Sequence, residues 1–371
     1  MSKVSREEKP EGQLRRGWAT GACATAATKA ALTALLTGSF PDPVSIRLPK
    51  GEEPAFPLAF EKLGEGTASA GIIKDAGDDP DVTHGATIIS EVRLPQPGSG
   101  LVFKAGEGVG TITRPGLPIG VGEAAINPVP RQMMREVVES LCALHGVSPD
   151  VEITISVPGG EKIAERTWNP RLGIIGGLSI LGTTGIVHPF SCSAWIHSIH
   201  RGIDVSRANG ITHVLGATGS TSEAAACRLH DFPEIARLDM GDFVGGLLKY
   251  LRNHPVPRIT IAGGFAKMTK LAQGALDLHS GRSQVDMDWL ALQASEIGLN
   301  QSVSRTIQTA NTAMEALEIA GEHAPQLSLH IGEKASATCY GVLGNIPVMV
   351  ECLIVSRSGG ILARTPWKSG L

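Results

Sequence analysis

The chain has 371 residues, 42% hydrophobic and 19% charged, with a formal net charge of −3, the balance of a globular protein long enough to bury two cores. That charge supplies no basic field for nucleic acid. The polar start MSKVSREEKPEGQLRRG lacks the apolar segment of a signal peptide, and the apolar run from Gly173 to Val187 falls short of the ~20 residues a spanning helix needs. A cytoplasmic protein with neither a nucleic-acid nor a membrane partner is expected.

In chain order, residues 1–16 are expected to be a flexible tail. An Ala-rich helix follows, entered through Thr20 and Gly21 and closed near Gly38, since small residues open it and glycine ends it. PVSIRLP and the stretch from Phe56 to Leu63 read as short strands, and ATIISEVRL and LVFKAG as a further pair around a Pro/Gly turn. GEGVG, Gly106 to Gly110, invites a dinucleotide-loop reading that fails, because a β-branched run rather than a helix comes next. RQMMREVVESLCALHG spaces Met134, Val137, Val138, Leu141 and Leu144 as an amphipathic helix, and VEITISV alternates as a half-buried strand. Residues 17–190 therefore read as an α+β domain.

From residue 191 the pattern changes. ITHVLGATGSTSEAAACRLH, IARLDMGDFVGGLLKYLRNH and RITIAGGFAKMTKLAQGALDLH each read as strand, turn, helix. Three such units predict a mainly parallel sheet, hence a Rossmann-like α/β domain over 191–371. SRTIQTANTAMEALEIAG reads as another amphipathic helix, and SLHIG, ATCYGVLG and IPVMVECLIVS as strands completing the sheet. The cysteines Cys23, Cys142, Cys192, Cys227, Cys339 and Cys352 are scattered without a C-x-x-C pair, which suits reduced thiols and neither a disulfide frame nor zinc.

Candidate sites fall in three places. At the rim of the second half, Gly216, Thr218 and Gly219 stand where a strand ends and Ser220 to Ser222 open a helix, a setting whose N–H groups favour a polar or anionic ligand. Asp239 follows at about the distance of an acid that bonds ribose hydroxyls. Gly263, Gly264 and Lys267 join the same rim. The set reads either as an adenosine-type crevice or as glycine turns serving tight packing. Arg114, Arg131 and Arg171 stand beside Pro or Gly in TRPG, NPVPRQ and NPRLG, where several fixed guanidinium groups would suit a polycarboxylate. His197 and His200, three apart, share a helix face and lack a third ligand nearby, so no metal site is expected.

The third place is KDAGDDPDVTHG, which crowds Asp75, Asp78, Asp79, Asp81 and His84 into one turn-rich loop. Its spacing has neither the offsets nor the closing Glu of a calcium loop. Two readings remain open. Asp side chains cap successive turns, or crowding raises a carboxylate into the range of acid–base work, with His84 as a second titrating group.

GWATGACATAATKAAL, IIKDAGDDPDVTHG, GEGVGTITRPGLPIGVGEAAINPVPR and WNPRLGIIGGLSILGTTGIVHPFS, in that order, closely resemble the CbiD family of cobalt-precorrin-5B C(1)-methyltransferases. ITHVLGATGS, LDMGDFVGG and KLAQGALDLHS are compatible further on. Where the family often has Gly-His-x-Gly-Lys, this chain has Gly263, Gly264, Phe265, Ala266 and Lys267. The resemblance implies methyl transfer from S-adenosyl-L-methionine to ring carbon 1 of a tetrapyrrole, with cobalt only inside that substrate. On that footing the second half holds the adenosyl group, and Arg114, Arg131 and Arg171, with Thr183 and Thr184, grip the macrocycle's carboxylates. Asp79, His84 and Asp75 are the catalytic candidates, holding the donor's positive charge or taking the departing proton. The alternative is a non-catalytic corrinoid-intermediate carrier. Handover to other corrinoid-pathway enzymes and two-fold self-association complete the expectations.

Overall fold

The computed structural model describes residues 12 and 14–369, and the chain divides into two compact units between Cys192 and Ser193. Of the tail expected over 1–16, residues 1–11 and 13 lie outside the described residues.

The first unit is organised by small residues. Strand β1 (Gly17–Trp18) leads into helix α1 (Thr20–Thr37), where Ala22, Ala24, Ala26, Ala27, Ala30 and Ala31 are fully buried. Gly38 closes the helix in the left-handed region at φ +83°, a conformation glycine adopts without a Cβ penalty. Strands β2 (Val44–Ser45) and β3 (Ala55–Phe56) pair as a short ribbon, less than the sequence suggested. The main sheet runs β4 (Phe60–Gly64), β5 (Thr67–Ile73), β6 (Thr87–Arg93), β9 (Val151–Ser156), β7 (Leu101–Ala105), antiparallel throughout except between β7 and β9. Strand β5 has no counterpart among the expected strands. Its TASAGII carries few of the bulky residues that announce a strand, yet its small Ala68 and Ala70 are what let the Ala-rich face of α1 approach the sheet.

Helix α2 (Pro128–His145) packs on α1 and ends at Gly146, φ +67°. Short pieces fill the rest: β8 (Thr111–Ile112) pairs with β10 (Ile174–Ile175), α3 (Gly160–Ala164) lies between them in sequence, and β11 (Ile186–Val187) pairs with β1. The apolar run from Gly173 to Val187 is thus turns and two short strands.

The second unit opens with α4 (Cys192–Ala208), β12 (His213–Ala217), α5 (Ser220–Leu229), α6 (Val244–Asn253), β13 (Arg258–Gly264) and α7 (Phe265–Ala272). Then come α8 (Met287–Glu296), α9 (Gln301–Gln308), α10 (Ala313–Ile319), α11 (Ala324–Leu343), β14 (Met349–Val355), β15 (Ile361–Arg364) and β16 (Lys368–Ser369). The sheet is mixed: β12, β13 and β14 are parallel, while β15 and β16 both pair antiparallel with β14. Its two faces carry different cores. Val214, Ile259, Ile261 and Val350 face α6, α7 and α11, whereas Leu215, Ala217, Ala262 and Leu353 face α5.

Three expectations are corrected here. The second strand–turn–helix unit has no strand: Glu234–Ala236 is a 3₁₀ turn, and the following segment makes a single bridge, Arg237 to Leu215, before Asp239 leaves extended geometry at φ +33°. SLHIG and ATCYGVLG are not strands but parts of the 20-residue α11. Leu327, Ile331, Ala335 and Cys339, all 0% exposed, recur every four residues, the helical period that outweighs short β-branched runs. The single helix expected over SRTIQTANTAMEALEIAG is two, α9 and α10, broken where the Thr312 hydroxyl accepts the Glu315 N–H at 3.1 Å and so caps a new helix.

Candidate functional site

In the first unit, β5 runs directly into the acidic loop. Backbone bonds close the loop at its base: Lys74 N–H to Ala86 O and Gly85 N–H to Lys74 O, both 2.8 Å. The segment before α1 lies against it, with Trp18 N–H donating to Asp75 O (2.7 Å) and Asp78 N–H to Arg15 O (3.0 Å). Only glycines permit this approach. A Cβ on Gly17 would stand 2.0 Å from the Ala76 carbonyl carbon, and one on Gly77, at φ +67°, would stand 2.2 Å from Arg15 O.

The crowded carboxylates have separate partners. Asp75 pairs with the Arg15 guanidinium through both oxygens and accepts the Gly77 N–H at 2.9 Å; the arginine chiefly holds it down at about 2. Asp78 accepts the Arg15 N–H at 2.6 Å. Asp81 accepts the Thr83 N–H (2.7 Å) and hydroxyl (2.6 Å) and pairs with Lys74 Nζ at 2.5 Å. Burial pushes Asp81 up, but the lysine and threonine outweigh it and hold it below the ordinary carboxylate range. Asp79 differs. Burial raises it, the negative charge of Asp81 adds to that, and the Phe190 N–H at 2.8 Å offsets part. His84 is 53% exposed and accepts the Ala76 N–H on Nδ1 at 3.1 Å, which leaves Nε2 as the nitrogen turned to other partners.

Asp75, Asp78 and Asp81 cap and pair, as the first reading of the composition has it. Asp79 is raised chiefly by burial, with the neighbouring Asp81 charge adding to it, and His84 keeps an exposed ring. Arg15 and Lys74 complete the set and escape sequence reasoning. The one visible signal is a lysine directly after the apolar β5, where a charge is out of place.

The other substrate candidates sit on the loops of β8, β10 and β11. The stem of Arg114 lies over Gly173, where an added Cβ would meet it at 2.8 Å, and Arg171 is two residues before that glycine, so the β8–β10 ladder gathers these two. Arg114 is exposed, and among the described residues its guanidinium has no hydrogen-bond or ion-pair partner. Arg131 is tied down instead: Nε donates to Ile126 O (2.8 Å), Nη2 to Ala124 O (3.0 Å) and Nη1 to Glu123 (2.6 Å). Thr183 is exposed, and the Thr184 hydroxyl donates to Ile186 O at 3.3 Å.

In the second unit the rim lies at the carboxyl ends of β12 and β13. The helices that follow them pack on opposite faces of the sheet, the arrangement in which parallel sheets take ligands beyond their strand ends. A Cβ on Gly219 would meet nothing within 4 Å. Gly216 and Gly263 serve packing, with added Cβ atoms 3.0 Å from Met240 and Leu247 and from Thr218 and Met268 respectively. Asp239 arrives beside this edge although its strand is missing, because Leu238 N–H bonds Leu215 O (2.9 Å) and Gly241 N–H bonds Ala217 O (3.0 Å). Lys267 pairs with Asp242 at 2.5 Å and donates to Thr218 O at 3.3 Å. His197 and His200 share α4, rings 6.0 Å apart. Among the described residues, no group of three or more His, Cys, Asp or Glu converges to hold a metal, and no helix is long and apolar enough to cross a membrane.

A mixed α/β protein with a capped acidic loop in one unit and a parallel-strand rim in the other is the class defined so far. The CbiD family model matches residues 6–189, and the CbiD C-terminal domain model matches residues 277–366. The chain is 66% identical to the cobalt-precorrin-5B C(1)-methyltransferases of Brucella anthropi and Brucella canis, over 95% of this chain and 96% of each relative. A relative of the same description from Brucella ovis is 65% identical over the same shares. A 1.9 Å crystal structure of a cobalamin biosynthesis protein (cbiD) from Archaeoglobus fulgidus is 26% identical, covering 69% of this chain and 78% of that one, with a TM-score of 0.38. The chain belongs to the CbiD family.

Proposed function

We propose that this protein methylates ring carbon 1 of cobalt-precorrin-5B with S-adenosyl-L-methionine, giving cobalt-precorrin-6A, in cobalamin biosynthesis. The observation that carries the proposal is the 66% identity, over 95% of the chain, to methyltransferases of that description. Cobalt enters as part of the substrate.

The rim of the second unit fits the donor, in the Rossmann-like manner of a nucleoside held beyond parallel strands. Space is open above Gly219, the first turn of α5 supplies N–H groups, and Asp239 stands beside β12 with strained backbone. Thr218, Gly219 and Ser220 would hold the donor's polar end and Asp239 its ribose, with Gly216 and Gly263 keeping strands and helices close and Gly264, where an added Cβ would meet only Val355 O at 3.9 Å, leaving room beside the donor. When bound, the donor supplies a methyl group activated by the sulfonium charge. In the first unit Arg114 and Arg171 grip macrocycle carboxylates bidentately, Thr183 and Thr184 add hydroxyl contacts, and Arg131 fixes the loop from Glu123 to Ile126. Asp79, raised by its burial, accepts the proton lost as the ring's double bonds rearrange, with His84 Nε2 assisting and Asp75 holding the loop through Arg15. Alignment of donor and acceptor supplies the larger part of the rate, up to ~7–11 kcal/mol.

The test is to incubate purified protein with cobalt-precorrin-5B and S-adenosyl-L-methionine. The expected result is a product heavier by one methyl group and an equal amount of S-adenosylhomocysteine. Folded protein that binds the tetrapyrrole, produces neither and shows no calorimetric heat with the donor would instead be a carrier.

A further inference from the structure

Lys74 is the least exposed charged side chain in the loop, at 1%. An ammonium has three protons to donate, and among the described residues this one has a single hydrogen-bond acceptor, Asp81 Oδ2 at 2.5 Å. A charge so far from water is costly to retain, and a methionine would fill the same volume without that cost. Asp81 contacts the lysine from the loop, and its charge is also felt by Asp79 and by Cys23 on α1, a thiol that burial pushes up to about 12. Asp75 and its partner Arg15 lie beyond, with His84 on the loop's far limb. His188, two residues before Phe190, is the titratable side chain of the segment that bonds Asp79.

We infer that Lys74 is a positioning residue for the methyl-transfer reaction: through Asp81 it fixes the loop, and by its charge it sets the electrostatic surroundings in which Asp79 works. This rests on the assignment of Asp79 as proton acceptor. Two opposite charges act on Asp79 at once, Asp81 raising its proton affinity and Lys74 lowering it. A scaffold lysine would leave no trace of that opposition in catalysis. A positioning lysine leaves a specific one, because removing either charge displaces the acid limb of the kcat–pH profile in opposite directions.

The experiment measures kcat and KM against pH, with S-adenosyl-L-methionine and cobalt-precorrin-5B, for Lys74→Met, Asp81→Asn, the double variant and Asp79→Asn, each checked for folding by circular dichroism. The Asp81→Asn change removes the charge and keeps a carbonyl oxygen for Thr83 to bond. Lys74→Met is expected to move the acid limb up by about one pH unit, a tenfold fall in kcat on its acid side. Asp81→Asn is expected to move it down, and the double variant to return it close to wild type. A limb that stays put in the folded variants, whatever happens to kcat, overturns the assignment of Lys74 and leaves Asp79 standing. Wild-type kcat in Asp79→Asn overturns both. Should Lys74→Met not fold, Asp81→Asn and the double variant decide by the same two displacements.

Discussion

Each unit buries an ion pair, and the two are built oppositely. In the second unit the buried partner is the anion: Glu351 on β14 is 0% exposed, and every oxygen is engaged. Arg364 Nε donates to Oε1 at 2.5 Å, while His230 Nε2 (2.7 Å) and the Thr260 hydroxyl (2.9 Å) donate to Oε2. His213 extends the network through Thr260 at 2.8 Å, so β12, β13, β14, β15 and the end of α5 are tied at one carboxylate. In the first unit the buried partner is the cation, Lys74, held by one carboxylate on a loop. A fully satisfied network on strands specifies a fold, whereas an under-satisfied one on a loop keeps a charge available.

The sharpest way to break that contrast is Arg364→Leu. It takes the guanidinium from a fully buried carboxylate and leaves only His230 and Thr260 as its donors, and breaking a buried pair from one side costs about 3–5 kcal/mol. Glu351→Leu should cost less, because Arg364 is 43% exposed and its charge finds water. Urea unfolding of the two variants checks the order; a larger loss in Glu351→Leu would show that the network is held by the carboxylate's packing rather than its charge.

Next in size are the glycines. Gly17→Ala drives a Cβ into loop backbone at 2.0 Å, while Gly216→Ala meets only side-chain ends at 3.0 Å. Overpacking against backbone should cost about 3 kcal/mol and displace the acidic loop, against roughly 1 kcal/mol for Gly216→Ala, whose neighbours can shift. Thermal denaturation gives the stabilities, and methyl transfer should fall far more in Gly17→Ala.

Much of this molecule is readable from sequence, for definite reasons. Helices α1 and α2 and strands β6, β7 and β9 announce themselves by small-residue or alternating patterns and by Gly38 and Gly146. Strand β5 does not, because its pairing with α1 selects alanine over β-branched residues. The loop's composition is conspicuous at once, but what each aspartate does is not. Asp78 meets Arg15 across 63 positions and Asp79 meets Phe190 across 111, and no local pattern encodes such partners. Asp239 reaches the edge of β12 by a route the pattern does not announce: the expected strand is missing, and two backbone bonds carry the residue there instead.

Acid separates the units next. Burial, with His230 adding, depresses His213 from 6.5 to about 4. The unfolded chain therefore binds the extra proton between those values, so this contribution is complete above pH 6.5 and lost as pH falls toward 4. At full burial it would be about 3 kcal/mol, and a partly exposed ring delivers roughly half of that. Asp75, held at about 2 against an ordinary 3.8, contributes above pH 3.8 and loses that contribution as pH falls toward 2. The second unit should therefore weaken first on acidification, as amide exchange resolved by unit would show, and His213→Phe should flatten its profile between pH 4 and 6.5.

The smallest stability effect belongs to Arg15, and it sharpens the contrast most. Its ion pair with Asp75 is exposed on both sides, 58% and 42%, and such solvent-screened pairs contribute little to stability. Arg15→Gln should scarcely move the melting temperature. Yet the guanidinium is what keeps Asp75 strongly ionised while Gly77 leans on the same oxygen, and the residue's backbone bonds to Asp78 survive the change. Amide exchange at Gly77 should therefore quicken by severalfold while exchange at Lys74 and Gly85, closed by backbone bonds at the loop's base, stays as it was. Equal acceleration at all three would mean the loop is held from its tip rather than from the buried lysine beneath it.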